Sequence, residues 1–115
     1  MLIMTAYHRG EIVLVGFRFT DEAGFKRRPS VIISTDAYHR DRQEVIVAAI
    51  TSNINRLLVG DHLINGWQDA GLLHPSVVTG VIRTIKQEMI HRMLGDMPST
   101  DMRAIDDELQ RTLGL

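Results

Sequence analysis

The sequence contains no cysteine, which excludes both a disulfide framework and a metal site built on thiolates. No apolar run approaches the roughly 20 residues that a helix needs to cross a bilayer. The N-terminus also lacks the basic leader and long apolar segment of a secretory signal. These absences predict a soluble, cytoplasmic protein that makes no use of a membrane.

An excess of positive charge is also missing, since the formal net charge is −1 and a general nucleic-acid binder carries a broad basic surface. The charge is nevertheless uneven. Residues 1–60 hold eight Lys or Arg and six Asp or Glu, a balance of +2, whereas residues 61–115 hold five and eight, a balance of −3. Because Lys26, Arg27 and Arg28 concentrate the basic excess, any site for a polyanion should be local and lie near them.

The predicted organisation is one domain over residues 1–115, because a chain of this length and 44% hydrophobic content supports a single core. Branched and aromatic residues predict short strands, and Gly24 suits a hairpin loop over residues 20–26. A single helical turn is predicted over residues 65–71, with Asn65 as its N-cap and Gly71 as its end. The predicted strands cover residues 12–19, 30–34, 44–51, 61–64, 76–85 and a short stretch near 89–94.

A helix is predicted over residues 100–113, with Ser99 as its N-cap and Gly114 as its end. Its apolar residues recur at spacings of 3, 4 and 4, which gives one stripe of a 3.6-residue period. The residues of this stripe are Met102, Ile105, Leu109 and Leu113. Five or six short strands followed by one amphipathic helix predict a mainly β (α+β) fold, a bent sheet or small barrel covered by the helix.

Two polar segments are candidates for chemistry. Lys26-Arg27-Arg28-Pro29 is either a solvated hairpin flank or a phosphate clamp, since arginine keeps its charge and grips phosphate through two parallel hydrogen bonds. Thr51, Ser52 and Asn53 are either ordinary strand-end and turn residues or a row of donors for a bound nucleic-acid backbone.

The five histidines favour no metal site. No two of them lie three or four residues apart, and no carboxylate stands at a zinc-ligand spacing from them. We therefore expect surface or supporting roles for the histidines, and neither a metal nor another cofactor. The histidines are His8, His39, His62, His74 and His91.

Four segments, taken together, resemble the MazF/PemK toxin family, also called Kid-type toxins. No single piece is diagnostic, but their order and spacing extend over nearly the whole chain. The matching residues are Arg9-Gly10-Glu11 with the apolar run after it, Phe19-Thr20-Asp21 and Lys26-Arg27-Arg28-Pro29 with the apolar run to Ser34, Val45 through Thr51-Ser52-Asn53, and a later half with Ala70-Gly71-Leu72, Pro75-Ser76-Val77-Val78 and Ile82-Arg83-Thr84-Ile85.

The resemblance implies an SH3-like small barrel with a C-terminal helix, working as a homodimer and paired with a cognate antitoxin protein. It implies a toxin that inhibits translation and growth as a metal-independent, sequence-specific endoribonuclease. Single-stranded RNA would be cut by attack of the ribose 2′-hydroxyl, leaving a 2′,3′-cyclic phosphate and a 5′-hydroxyl. By the same resemblance, Arg28 is the catalytic arginine and Thr51 its partner at the phosphate. The residues expected to bind RNA are Lys26, Arg27, Ser52, Asn53, Thr20 and Arg83.

One departure from the family leaves the general base unassigned. The Kid branch carries an Arg-x-Asp in its fifth strand, where this chain has the shorter Thr79-Gly80-Val81. A carboxylate role cannot be transferred there, and a guanidinium is a poor proton acceptor.

A toxin of the CcdB type, which shares the fold but traps DNA gyrase without cutting RNA, is the main alternative. That family ends its last helix with Trp-Gly-Ile, whereas this chain ends Thr112-Leu113-Gly114-Leu115 and has its single tryptophan, Trp67, mid-chain. A relative that has lost catalysis is a further alternative.

Overall fold

The computed structural model describes residues 7–18 and 25–115. It is a single antiparallel sheet followed by a C-terminal helix, which confirms the predicted mainly β fold. The strands are β1 (Glu11–Arg18), β2 (Phe25–Ile32), β3 (Glu44–Thr51), β4 (His62–Leu63), β5 (Val77–Lys86) and β6 (Ile90–Asp96). The helices are α1 (Asp36–His39) and α2 (Ser99–Leu113), with a 3-10 turn at Gln87–Met89.

The strands follow the order β4-β5-β3-β2-β1-β6 across the sheet. The first three strands along the chain occupy the centre, so side chains on both of their faces are covered, as their nearly continuous apolar sequences require. β4 and β6 form the two edges and do not pair with each other within the described chain, so of the predicted bent sheet or small barrel the structure has an open sheet.

Two apolar cores lie on opposite faces of the central strands. One contains Val13, Val15 and Ile32 together with residues of β3 and β5. The other contains Ile12, Val31 and Ile50 and is covered by α2. Of the predicted helix stripe, Ile105 is buried in this core and Met102 and Leu109 pack against it, but Leu113 is 56% exposed and does not belong to it.

The start of β2 was predicted wrongly. The strand begins at Phe25 and not at Ser30, so the last two residues of the hairpin loop expected over residues 20–26 lie in the strand. The other residues of that expected loop, 20–24, lie outside the described part of the chain. Proline is tolerated inside β2 because the first half of the strand pairs with β1 alone, from Arg18–Phe25 to Leu14–Pro29. The partner strand is distant in sequence, so local propensity did not reveal it.

The other strand predictions were close. β3 has the predicted bounds, and β4, β5 and β6 differ from the predicted segments by one or two residues at each end. The short helix α1 was not predicted. It is capped by the Thr35 side chain, which accepts a hydrogen bond from the Tyr38 backbone N–H.

Residues 65–71 form a turn and no assigned helix, and Asn65 is not its side-chain cap. The backbone N–H groups of Asn65 and Gly66 donate instead to the carboxylate of Asp101 in α2, at 2.9 and 3.0 Å. Gly71 ends the turn with a φ of 85°, as predicted. α2 also differs from its prediction, because Pro98 precedes it and no side chain caps it.

Asp101 is 2% exposed and also accepts a hydrogen bond from Nε2 of His62 in β4, at 2.7 Å. Burial of the carboxyl acts to raise its pKa, but the hydrogen bonds from His62, Asn65 and Gly66 outweigh it and the pKa lies below its ordinary value. This carboxylate therefore ties α2 to β4 and to the turn after it. Among the described residues, no helix is both long and apolar enough to cross a membrane.

Candidate functional site

A cavity of about 360 Å³ opens where β2 and β3 separate. The two strands are paired only from Ser30–Ala49 to Ile32–Val47. Beyond Ser30 the ladder stops at Pro29. The Ile33 backbone N–H donates to the Ile46 carbonyl oxygen of β3. Because every second residue of an antiparallel strand turns its backbone groups to the same neighbour, the backbone of residue 29 also faces β3. Proline, however, has no N–H to donate there.

The first wall of the cavity comes from these separating strands. If the register of β2 and β3 is continued by two positions past Ser30–Ala49, Arg28 stands opposite Thr51. Both residues line the cavity. The lining residues of this wall are Arg27, Arg28 and Pro29 of β2 with Ile50, Thr51 and Ser52 at the end of β3.

The Thr51 hydroxyl can donate a hydrogen bond to a ligand, since none of the described residues accepts one from it. Its Oγ1 accepts a hydrogen bond from the Asn53 backbone N–H at 3.1 Å, and a hydroxyl can accept and donate at the same time. The Asn53 side chain in turn accepts from the Asn55 backbone N–H at 3.2 Å. The turn after β3 therefore fixes the orientation of Thr51 while leaving its O–H group available.

The second wall is the segment 71–76 together with β6. A Cβ atom on Gly71 would lie 2.3 Å from the Leu94 carbonyl oxygen, and one on Gly95 would lie 2.3 Å from that of Ala70. The two backbones are thus in direct contact, which only glycine allows. The residues contributed by this wall are Gly71, Leu72, Leu73, His74 and Ser76 with Arg92 and Leu94.

Arg92 was missed by the sequence analysis. Leu14 of β1 pairs with Pro29 on one side and with Arg92 on the other, so these three side chains share a face of the sheet. The placement follows from pairing between the first and last strands, which no local pattern in the sequence shows. The sequence analysis also missed Leu73 and His74 as site residues. In the sequence both are ordinary loop residues, and only the packing of the turn against β6 makes them part of the cavity wall.

The cavity is strongly cationic. Its described lining includes three arginines and one histidine but no Asp or Glu, although the whole chain has a net charge of −1. In the described residues, none of these arginines forms an ion pair with an acidic side chain. Arg27, Arg28 and Arg92 thus offer guanidinium groups to a ligand, which suits a site for phosphate.

The structure brings only some of the predicted RNA-binding residues to this cavity. Arg27 and Ser52 line it with Arg28 and Thr51, whereas Lys26 and Asn53 lie beside it and are not among its lining residues. Arg83 pairs with Val47, four residues before Thr51 on β3 and so about 13 Å along the strand. Thr20 lies outside the described residues.

No potential metal centre accompanies the cavity: across residues 7–18 and 25–115, no three His, Asp or Glu side chains converge as metal ligands would.

The family model for the PemK-like, MazF-like toxin of type II toxin–antitoxin systems matches residues 8–113. The chain belongs to this family. It is also similar to the endoribonuclease MazF2 of Mycobacterium bovis, with 31% identity over 93 residues, 78% of this chain and 81% of that protein. The match confirms the family resemblance of the sequence and does not favour the CcdB alternative.

Solved structures of PemK/MazF proteins share the fold. A mycobacterial endoribonuclease in complex with its cognate antitoxin superposes with a TM-score of 0.76 at 22% identity, covering 96% of this chain and 97% of that one. MazF from a MazE–MazF complex of Deinococcus radiodurans gives 0.80 at 16% identity, covering 97% and 99%. These matches confirm the mainly β fold with one C-terminal helix.

Proposed function

We propose that this PemK/MazF-family toxin is an endoribonuclease that cuts single-stranded RNA, including mRNA, without a metal ion and thereby inhibits translation and growth. The observation that carries the proposal is the cavity between β2 and β3, whose described lining includes three arginines and three hydroxyl residues but no carboxylate. The similarity to the M. bovis endoribonuclease MazF2 supports the same activity.

The proposed reaction is transfer of the phosphoryl group within the RNA backbone. The ribose 2′-oxygen forms a bond to the adjacent phosphorus, the bond from phosphorus to the 5′-oxygen breaks, and a 2′,3′-cyclic phosphate and a 5′-hydroxyl result. The protein must hold the backbone in line and stabilise the negative charge that develops on the phosphate. Arg28 and Thr51 come from the two separated strands and both line the cavity, so both can donate to one bound phosphate.

The apolar part of the cavity favours RNA with unpaired bases. Leu73 is 86% exposed and lines the cavity, as Leu14, Leu72 and Leu94 also do. Bases of single-stranded RNA can lie against such apolar surface, whereas those of a duplex are stacked within the helix. This surface is the natural place for recognition of a short cleavage sequence, while Arg27 and Arg92 contact the flanking phosphates.

The cognate antitoxin is the proposed protein partner, in line with the antitoxin-bound mycobacterial relative. A flexible acidic segment of the antitoxin would match the local cationic charge of the cavity and compete with RNA for it. Saturating antitoxin should then weaken RNA binding, and an undiminished RNA affinity would contradict this competitive mode.

The test is cleavage of a mixed-sequence RNA in EDTA, followed by mapping of the cut and analysis of both new ends. We expect cleavage with a 2′,3′-cyclic phosphate and a 5′-hydroxyl, and no cleavage of an oligonucleotide carrying 2′-deoxyribose at the mapped position. The Arg28→Ala, Thr51→Ala double variant, purified identically, controls for contaminating nuclease. Loss of activity in EDTA, or cleavage of the 2′-deoxy substrate, would contradict the proposed reaction.

A further inference from the structure

We propose that His74 is the general base of the site and accepts the proton of the attacking 2′-hydroxyl. This inference rests on the proposed function and assigns a role that the family resemblance left open. The carboxylate of the Kid branch has no counterpart in Thr79-Gly80-Val81, and none of these three residues lines the cavity.

The chemistry of the described lining residues leaves one suitable side chain. Arginine donates hydrogen bonds but cannot accept a proton under ordinary conditions, so Arg27, Arg28 and Arg92 can stabilise negative charge and nothing more. The hydroxyls of Thr51 and Ser52 do not hold an added proton near neutral pH. Imidazole is the side chain that changes protonation state between pH 5 and 8, and His74 is the one histidine in the lining.

Apart from His74, the described residues of the site offer several groups that stabilise an anion but no proton acceptor. Three guanidinium groups can neutralise the negative charge on the phosphate and on the departing 5′-oxygen. The leaving-group side of the reaction is therefore already served by cationic groups. The 2′-hydroxyl is a weak nucleophile until its proton leaves. This imbalance places His74 at the attacking oxygen and not at the leaving group.

The backbone around His74 is held firmly enough for such a role. Gly71 packs against the Leu94 carbonyl of β6, as described above, and fixes one end of the segment. At the other end, the buried Ser76 donates from its Oγ to the His74 carbonyl oxygen at 2.8 Å. His74 itself is exposed and lines the cavity, so its ring is accessible to a bound ribose.

The proton balance of the proposed step is simple. As the bond from the 2′-oxygen to phosphorus forms, an imidazole nitrogen of neutral His74 takes the hydroxyl proton and the ring becomes imidazolium. The bond from phosphorus to the 5′-oxygen breaks, and the 5′-oxygen is protonated by solvent. The histidine that started neutral returns its proton to solvent before the next turnover.

The first test compares His74→Gln with His91→Gln, a matched variant of an exposed histidine on β6 that does not line the cavity. We expect His74→Gln to lower the cleavage rate about 10²–10⁴-fold, the usual contribution of general acid–base catalysis. Its binding of the 2′-deoxy oligonucleotide should change less than about threefold, the size of a weak contact. His91→Gln should match the wild type in both.

The pH profile separates a proton acceptor from a structural residue. The wild-type rate should rise with pH through a single titration and then level off, as expected of an imidazole base. The His74→Gln rate should keep rising with hydroxide and show no plateau. Added imidazole should restore activity to His74→Ala, which also shows that this variant is folded. An unchanged profile in His74→Gln would overturn the assignment.

A substrate with sulfur in place of the 5′-oxygen at the mapped site decides which oxygen His74 serves, because a thiolate leaves without protonation. A base at the 2′-hydroxyl predicts the same defect for His74→Gln on both substrates. Disappearance of the defect on the sulfur substrate would overturn the role at the 2′-hydroxyl. If the wild type makes no cyclic phosphate, the proposed function itself fails; if it does and His74→Gln is fully active, only this inference fails.

Discussion

Arg28 and Thr51 each lie two residues beyond the last paired residues of β2 and β3, Ser30 and Ala49, and both line the cavity. Pro29 ends the ladder beside them, so the two strands part at the cavity that both residues line. The arginine and the hydroxyl therefore reach a bound phosphate from different strands, and their loss can be examined separately.

Replacement of Arg28 by alanine should reduce cleavage by at least about 10²–10³-fold, the cost of removing one positioned donor to a developing oxyanion. Arg28→Lys should recover only part of the loss, because an ammonium cannot make two parallel hydrogen bonds to phosphate. Both variants should keep the circular dichroism spectrum of the wild type, since Arg28 is exposed. A well-folded Arg28→Ala protein with full activity would remove Arg28 from the catalytic site.

Replacement of Arg27 should have a different signature, because we expect this residue to contact a flanking phosphate. Arg27→Ala should weaken RNA binding, and the slope of log affinity against log salt should become shallower by about one. Cleavage at saturating RNA should stay close to that of the wild type. A large fall in the saturated rate with an unchanged salt slope would instead place Arg27 at the reacting phosphate.

The hydroxyl of Thr51 should contribute by donation to the phosphate. Thr51→Val keeps the branched shape in β3 but removes the O–H group, and it should lower the cleavage rate by a factor comparable to or smaller than that of Arg28→Ala. Thr51→Ser retains the hydroxyl and should recover most of the rate. Equal activity of Thr51→Val and the wild type would show that this hydroxyl has no part in the reaction.

The buried carboxylate of Asp101 should make stability depend on acid pH. Because its pKa is lowered in the folded state, its contribution is present above the ordinary value near 4 and is lost as pH falls through the folded pKa. Asp101→Asn should lower the free energy of unfolding by roughly 3–5 kcal/mol near neutral pH, as for one partner of a buried pair. Urea unfolding at several pH values measures this, with the exposed Asp107→Asn as control. Parallel acid curves for Asp101→Asn and the wild type would contradict this role.

A homodimer is expected because an apolar surface is left uncovered beside the C-terminus of α2. Val59 and Val81 are 63% and 56% exposed. Their neighbours Gly60 and Gly80 lie against each other, and Gly60 also lies against Thr112, so the two valines and Leu113 belong to segments that meet here. A second copy could cover this surface by two-fold symmetry. Sedimentation should give twice the chain mass of 13.0 kDa for the wild type and 13.0 kDa for Val59→Asp.

The matched control is Asn55→Asp, which adds the same charge to an exposed polar position of the same segment and should stay dimeric. A wild-type mass of 13.0 kDa at micromolar concentration would count against the dimer.

The sequence by itself determined the elements with strong local signals. The branched residues of β3, the 3.6-residue period of α2 and the glycines at its end and at residue 71 each produce their structure through short-range preferences. The family motif around Arg28 and Thr51 also pointed to the two strands that border the cavity.

Only the tertiary structure decided which other residues surround that motif. β2 begins at Phe25 because β1 pairs with it, and the capping of the turn after β4 depends on Asp101, 36 residues beyond Asn65. Arg92 reaches the cavity because the last strand pairs with the first, and His74 does so because Gly71 and Gly95 let two backbones touch. These contacts join residues far apart along the chain, so their free energy appears only on folding and leaves no local pattern in the sequence.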